Sequence, residues 1–356
     1  MYTIESLEEF LRSILRSLSP RGKDIICRRY GIFLSRSLGD KTRFETLESI
    51  GQEYRITRER VRQLEADSLK RIAAAKRVDA RFAQWIKFLD HLFKERGYMI
   101  AERALFEEPL IEGDPAKQIE PAGRHGYCIM FLLRLANKYI RRKEDDSFYA
   151  HWTSDLPRAE RIARALRDVA RRLETRAPIS EEEIIHMIKK QMEEPVSFSV
   201  ACSYLALSKK IAKNKWNEYG HASSALIRPR GMKDGAYVVL SRAQSPLHFS
   251  HIARQIQDVF VNRNVHVQTV HNELIKDKRF VLVGRGLYAL AEWGYEPGFV
   301  KDIIHNVLKE RGSCKKEVIV AEVMKRRQVK ENTIFMNLNN KKLFELLPNG
   351  KYTLVA

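Results

Sequence analysis

Residues 46–72 read TLESIGQEYRITRERVRQLEADSLKRI. Leu47, Ile50, Gly51 and Tyr54 fall at i, i+3, i+4 and i+7, the spacing of one face of a helix. Arg55-Ile56-Thr57 interrupts that face as a short turn. Thr57 is a good N-cap residue, and Val61, Leu64, Leu69 and Ile72 then continue an apolar stripe along a second helix. On this second helix Arg58 and Arg62 are four apart, as are Glu59 and Gln63. All four therefore share one broad face, opposite Val61 and Leu64.

Two helices across a three- to four-residue turn make a helix-turn-helix, which places its second helix in the DNA major groove. The side chains on the outer face suit base edges: Arg58 and Arg62 toward guanine, Gln63 toward adenine, Glu59 toward cytosine N4. Thr46 and Thr57, at the two helix starts, are placed to hold phosphates with hydroxyls and free backbone N–H groups. The plainer alternative is a solvated surface helix laced with ion pairs such as Arg58–Arg62–Glu65, each worth about 0.3 kcal/mol. Pattern alone leaves both readings open.

The chain has 356 residues, 44% of them hydrophobic, enough for two to four domains with cores of their own. Its formal net charge of +19 points to a polyanionic partner, most commonly nucleic acid, against the blander reading of a lysine-rich surface. Cys27, Cys128, Cys202 and Cys314 stand far apart, with no Cys-x-x-Cys pair, so neither a zinc site nor a disulfide framework is expected and a reducing compartment is. The opening MYTIESLEEFLRSI lacks the apolar run of a signal peptide, and no 18-residue apolar stretch occurs. The expectation is a cytoplasmic, nucleoid-associated protein without membrane contact.

Upstream of the opening stretch, Ser19 is a plausible N-cap with Pro20 at the first helical position, and GIFLSRSLGDKTRFE (31–45) reads as a loop. Downstream, the chain reads as a series of 60- to 70-residue units. TVHNELIKDKRFVLVGRGLYAL (269–290) aligns with TIFMNLNNKKLFELLPNGKYTL (333–354) at an offset of 64, with Thr, Leu, Lys, Phe, Gly, Tyr and Leu recurring in register. Each unit reads as two helices, a third helix and a two-stranded hairpin, the layout of a winged helix. Two weaker copies precede these, the first with KYIRRKEDDSFYAHW as its wing and EEPLIEGDPAKQIEPAG (107–123) as an internal loop. The expected class is mainly α with small β wings. Its domains are a helix-turn-helix over 1–80 and tandem winged-helix units over 83–152, 158–227, 231–295 and 297–356.

Here the residues themselves resemble a family. LSPRGKDIICRRYGI, TLESIG, ITRERVRQLEA and LKRI are similar to region 4 of the sigma-70 family of bacterial RNA polymerase initiation factors. The resemblance covers about residues 5–75 and implies that Arg58, Glu59, Arg62 and Gln63 face the bases of a promoter −35 element. It further implies that Arg21, Arg29, Thr46 and Thr57 hold the flanking phosphates, and that an apolar concave side docks on the polymerase beta flap. Nothing downstream looks like sigma region 2, which melts DNA and grips the polymerase core. SPLHFSHIARQI and RFVLVGRGLYALAEWG, within 231–294, resemble the HARE-HTH winged-helix family, which implies a DNA or transcription partner. In that unit Phe280, Leu282, Tyr288, Leu290 and Trp293 alternate as a sheet face expected to pack on the helices. Lys276, Lys278 and Arg285, with Lys341 and Lys342 in the last unit, are candidates for phosphate contact or are simply solvated.

No Gly-x4-Gly-Lys-Ser/Thr loop, Asp-x-Lys, Glu-x-Lys or nucleophile elbow occurs, and His248 with His251 lacks a third ligand nearby. We therefore expect no catalytic residue, no metal, no cofactor and no small-molecule substrate. The expected partners are double-stranded DNA and the polymerase core. Three functional readings follow: a DNA-reading transcription factor, a sigma-like polymerase-docking protein that does not read sequence, or the DNA-binding subunit of a defence or DNA-modification system.

Overall fold

The chain enters its first helix, α1 (Ile4–Leu15), through a reciprocal cap. The Thr3 hydroxyl accepts from the Ser6 N–H, and the Ser6 hydroxyl accepts from the Thr3 N–H. α2 (Pro20–Tyr30) starts on Ser19, whose hydroxyl accepts from the Gly22 N–H, and stops at Gly31 in the left-handed region, φ 68°. α3 (Leu47–Tyr54) and α4 (Arg58–Val78) start on Thr46 and Thr57, each accepting from the N–H three residues on. The computed structural model describes residues 2–33, 44–107, 124–192, 195–260, 264–327 and 329–355. Most of the loop expected over 31–45 and nearly all of that expected over 107–123 lie outside the described residues.

α4 ends at Asp79, which breaks the helix (φ −89°, ψ 110°) and at once caps α5 (Ala80–Glu95) by accepting from the Arg81 N–H. The Arg81 guanidinium turns back to donate to Asp79 at 2.7 Å and to the Ser13 hydroxyl of α1 at 2.7 Å. The helix breaks here, but the core does not. Leu7, Phe10 and Leu11 of α1, Ile26 of α2 and Ile72 of α4 belong to one buried cluster with Trp85, Leu89 and Phe93 of α5. Phe131 and Leu132 of α7 (Arg124–Ala136) and Trp152 complete it, and the Tyr30 and Phe131 rings lie 4.9 Å apart.

By contact density the chain forms two compact units, Met1–Ala222 and Ser223–Ala356. Within the first, β1 (Met99–Ala101), α6 (Ala104–Glu107), α7, β2 (Ile140–Arg142) and β3 (His151–Thr153) follow α5, with strand order β1-β3-β2. Next come α8 (Leu156–Leu173), α9 (Glu181–Gln191), α10 (Phe198–Leu205) and the hairpin of β4 (Ile211–Lys213) and β5 (Tyr219–His221), where Ile179 bridges to Tyr219. The second unit holds α11 (Met232–Ala243), β6 (Leu247–His248), α12 (Phe249–Val259), α13 (Val267–Lys276), β7 (Phe280–Leu282) and β8 (Leu287–Leu290). α14 (Val300–Arg311), β9 (Cys314–Lys315), α15 (Lys316–Arg326), α16 (Glu331–Leu338), β10 (Phe344–Leu346) and β11 (Lys351–Leu354) then close the chain.

One connectivity recurs through all of this: helix, short strand or bridge, helix, helix, then a hairpin whose last strand lies in the middle. The offset of 64 survives in the pairing itself. Phe280 faces Leu290 and Leu282 faces Tyr288, while Phe344 faces Leu354 and Leu346 faces Tyr352.

Two expectations need correction. The sheets over 231–295 and 297–356 have three strands, because β6 and β9 add to the hairpins expected there. Strands of two residues are too short to show alternation. Of the five alternating residues, Phe280, Tyr288 and Leu290 are buried, but Leu282 is 44% exposed. The opposite face carries a small core of its own, built from Val281, Val283 and Ala289 with Tyr295 beside it. This sheet is therefore covered on two sides where alternation implied one.

Candidate nucleic-acid interface

The turn between α3 and α4 is shaped by two residues. Arg55 takes the left-handed conformation, φ 53°, so the Ile56 N–H can reach back to the Gly51 carbonyl at 2.9 Å. A Cβ on Gly51 would stand 2.7 Å from the Ile56 carbonyl oxygen, too close for any side chain. Ile25, Ile50 and Val61 close a small core beneath the turn, with Leu47, Tyr54 and Leu64 around it. Arg28 fixes α3 against α2: its side chain, 11% exposed, donates to Glu45 at 2.9 and 2.6 Å and also to Glu53. α2 in turn crosses α4 closely at Gly22, where a Cβ would meet the Ser68 hydroxyl at 2.8 Å.

On this frame Arg58, Glu59, Arg62 and Gln63 all stand exposed on the outer face of α4. The expected chain Arg58–Arg62–Glu65 does not form. Arg62 instead donates to Glu59 at 2.8 and 2.7 Å, which holds the Glu59 carboxyl below the usual carboxylate range, and Arg60 donates to the Gln63 side chain at 3.1 Å. Glu65 turns inward, accepts from the Tyr30 hydroxyl at 2.9 Å and lies 3.6 Å from Arg29. Arg58 has no ion pair among the described residues. An exposed pair such as Arg62–Glu59 is screened by solvent and weak, so it opens readily for a better partner.

The candidate phosphate contacts divide. Thr46 and Thr57 are exposed; each hydroxyl oxygen is taken by its cap, which leaves the O–H free to donate outward. Arg21 is exposed and lies 4.6 Å over the Tyr54 ring at the end of α3. Arg29 is turned toward the protein, donating to the Glu45 carbonyl and facing Glu65. Two cations enter the surface that the sequence reading passed over, Arg55 in the turn and Arg60 in the first turn of α4, both exposed. Their signal was present in the run of arginines from 55 to 62, but both fall off the spacing of the reading face.

In the second unit, Lys276 sits in the last turn of α13, Lys278 before β7 and Arg285 in the β7–β8 turn, all exposed, as are Lys341 and Lys342 before β10. The described residues contain no His/Cys/Asp/Glu group able to hold a metal, and no helix among them is long and apolar enough to cross a membrane. His248 caps α12 by accepting from the Ser250 N–H, and its ring lies 4.4 Å from that of Phe249 in a tilted contact.

Comparison with known proteins meets this geometry in the helix-turn-helix. The family model described as "Sigma-70, region 4" matches residues 14–74, which contain α2, α3 and most of α4. The RNA polymerase sigma factor SigA of Nostoc sp. is 46% identical over 66 residues, 18% of this chain and 15% of that protein. SigA of Microcystis aeruginosa is 44% identical over 66 residues, and the sigma factor RpoD of Neisseria gonorrhoeae 39% over 79 residues, 22% of this chain and 11% of that protein. The chain thus spans about a seventh or less of these relatives' length. The helix-turn-helix that carries Arg58, Glu59, Arg62 and Gln63 is similar in sequence to sigma-70 region 4.

Proposed function

We propose that the protein is a non-enzymatic DNA-binding regulator of transcription whose α4 reads a short duplex element resembling a promoter −35 site. The observation that carries this reading is the pairing of a fixed frame with a solvent-exposed face. Arg28, Gly22 and Gly51 fix the two helices, while all four candidate base readers stand exposed on one side. Arg58 and Arg62 address guanine, Gln63 adenine and Glu59 cytosine, while Arg21, Thr46 and Thr57 hold phosphates.

A polymerase-docking role through the opposite, apolar side is the weaker reading. That side is filled by the chain itself: Ile72 is fully buried in the core that α5 and α7 complete, and Lys76 donates to the Leu135 carbonyl of α7. A flap-like partner would have to displace α7. The four repeated helix–strand–helix–helix–hairpin segments are read as winged-helix modules, the one over 231–294 of HARE-HTH type. In the first of them α7 is buried against the helix-turn-helix and serves as a prop. In the last two, Gln268, Thr269 and Asn272 of α13 and Asn332, Thr333 and Met336 of α16 are exposed and available to DNA or a partner.

Selection of bound sites from a pool of random duplexes with the full chain tests the reading. It predicts enrichment of one short element with a −35-like core. A pool that returns unenriched, with binding that merely follows ionic strength, contradicts it.

A further inference from the structure

α8 presents two faces. Ala159, Ile162, Leu166, Val169 and Leu173 are buried, and the remaining surface carries Arg158, Arg161, Arg164, Arg167, Arg171 and Arg172 against two acids, Glu160 and Asp168, the latter paired with Arg171 at 3.6 Å. Where the β2–β3 turn approaches this helix there is a depression of about 240 Å³. Arg142, Lys143, Arg164 and Arg167 line it, together with Asp145, Glu160, Phe148 and His151. Among the described residues none of these four cations makes an ion pair. That is unusual in a chain whose other arginines so often find carboxylates, as Arg28, Arg141 and Arg326 do.

The lining is organised for an anion. Asp145 is already engaged, its Oδ1 accepting from the Ser147 and Phe148 N–H groups at 2.7 Å each. Arg167 is held 5.0 Å over the buried Phe148 ring, which orients its fork without neutralising it. His151, 7% exposed, donates from Nδ1 to the Tyr149 carbonyl at 2.8 Å, so Nε2 is its remaining polar atom in the lining. Four cations against two carboxylates leave a net positive pocket open to solvent.

We propose that this pocket is a phosphate-binding site that grips the nucleic-acid backbone independently of α4. It rests on the reading that the chain binds nucleic acid, and it does not require α4 to read bases. The chemistry shared by possible occupants is a phosphate group with oxygens free for guanidinium donors, and the backbone is the source the arginine ridge on either side favours. Contacts of this kind carry no sequence information; they add affinity and salt dependence.

The test compares the full chain with the Arg164→Ala/Arg167→Ala and Arg142→Ala/Lys143→Ala variants on a scrambled and a −35-like duplex over a range of salt. An Arg164→Lys/Arg167→Lys variant and thermal melting control for charge and folding. The alanine variants are expected to lower the slope of log K against log salt by about 0.9 for each lost phosphate contact. The ratio of affinities for the two duplexes should stay unchanged, and the lysine variant should keep most of the slope. An unchanged slope in folded alanine variants overturns the site. A phosphorus-NMR titration with inorganic phosphate separates the sources: phosphate binding lost in the variants while the duplex slope is retained would make the pocket a small-anion site and overturn the backbone assignment. Failure of α4 to read bases would appear instead as equal binding of the two duplexes by the unaltered protein, with the slope effect intact.

Discussion

The helix-turn-helix depends most sharply on Gly51. Its missing Cβ admits the Ile56 carbonyl at a distance, 2.7 Å, that no side chain tolerates. Gly51→Ala should therefore destabilise the α3–α4 pair by about 1–3 kcal/mol, the usual cost of overpacking. Amide hydrogen exchange in α3 would reveal the loss as reduced protection. Arg55 offers the opposite case, because a non-glycine residue at φ 53° carries strain. Arg55→Gly should leave the fold intact and raise its stability slightly, because relief of roughly 1–2 kcal/mol of left-handed strain exceeds the entropic cost of glycine, about 0.5–1 kcal/mol; chemical denaturation would read it. Cap residues were legible at this scale: Ser19, Thr46 and Thr57 each do what their type and place imply, since a cap needs only the next three residues. Arg29 was not legible. Its direction depends on Glu65, 36 positions away, and on the Glu45 carbonyl.

Among the elements, the junction of α4 and α5 carries a pH-dependent contact. Arg81 donates to Asp79 and holds its carboxyl below the ordinary value of 3.8. The folded form thus binds a proton less readily than the unfolded form. The pair contributes stability above about pH 4 and loses it as pH falls through the depressed value. Asp79→Asn should remove that part of the pH dependence, keeping the cap through its side-chain oxygen but losing the Arg81 ion pair at neutral pH. Denaturation midpoints for both proteins between pH 2 and 6 would check it. The hairpins and third helices of the repeated segments were readable because their apolar spacing is local. The two-residue strands β6 and β9 were not, since only pairing with β8 and β11 makes them strands.

For the whole molecule, the sequence marked a boundary near residue 80, where Asp79 does end a helix. What it could not mark was that α1, α2 and α4 close their core on Trp85, Phe93, Phe131 and Trp152. A fragment of residues 1–80 would expose that apolar surface, so it should aggregate or remain partly unfolded. Residues 1–222 should fold, with melting as the readout. A well-folded 1–80 fragment would show that the helix-turn-helix does not need α5 and α7 in order to fold. The basic charge and the outer face of α4 were legible in the sequence, but the pocket beside α8 needed the fold, which brings the β2–β3 turn to that helix.

Base reading by α4 is open to direct measurement. The most direct test measures the affinity of the full chain for a −35-like and a scrambled duplex at fixed salt, with and without Arg58→Ala/Gln63→Ala. A preference of more than about tenfold, roughly 1.4 kcal/mol, is expected, and the double substitution should abolish it while binding of the scrambled duplex persists. Equal affinity for both duplexes, unaffected by the substitution, would contradict it.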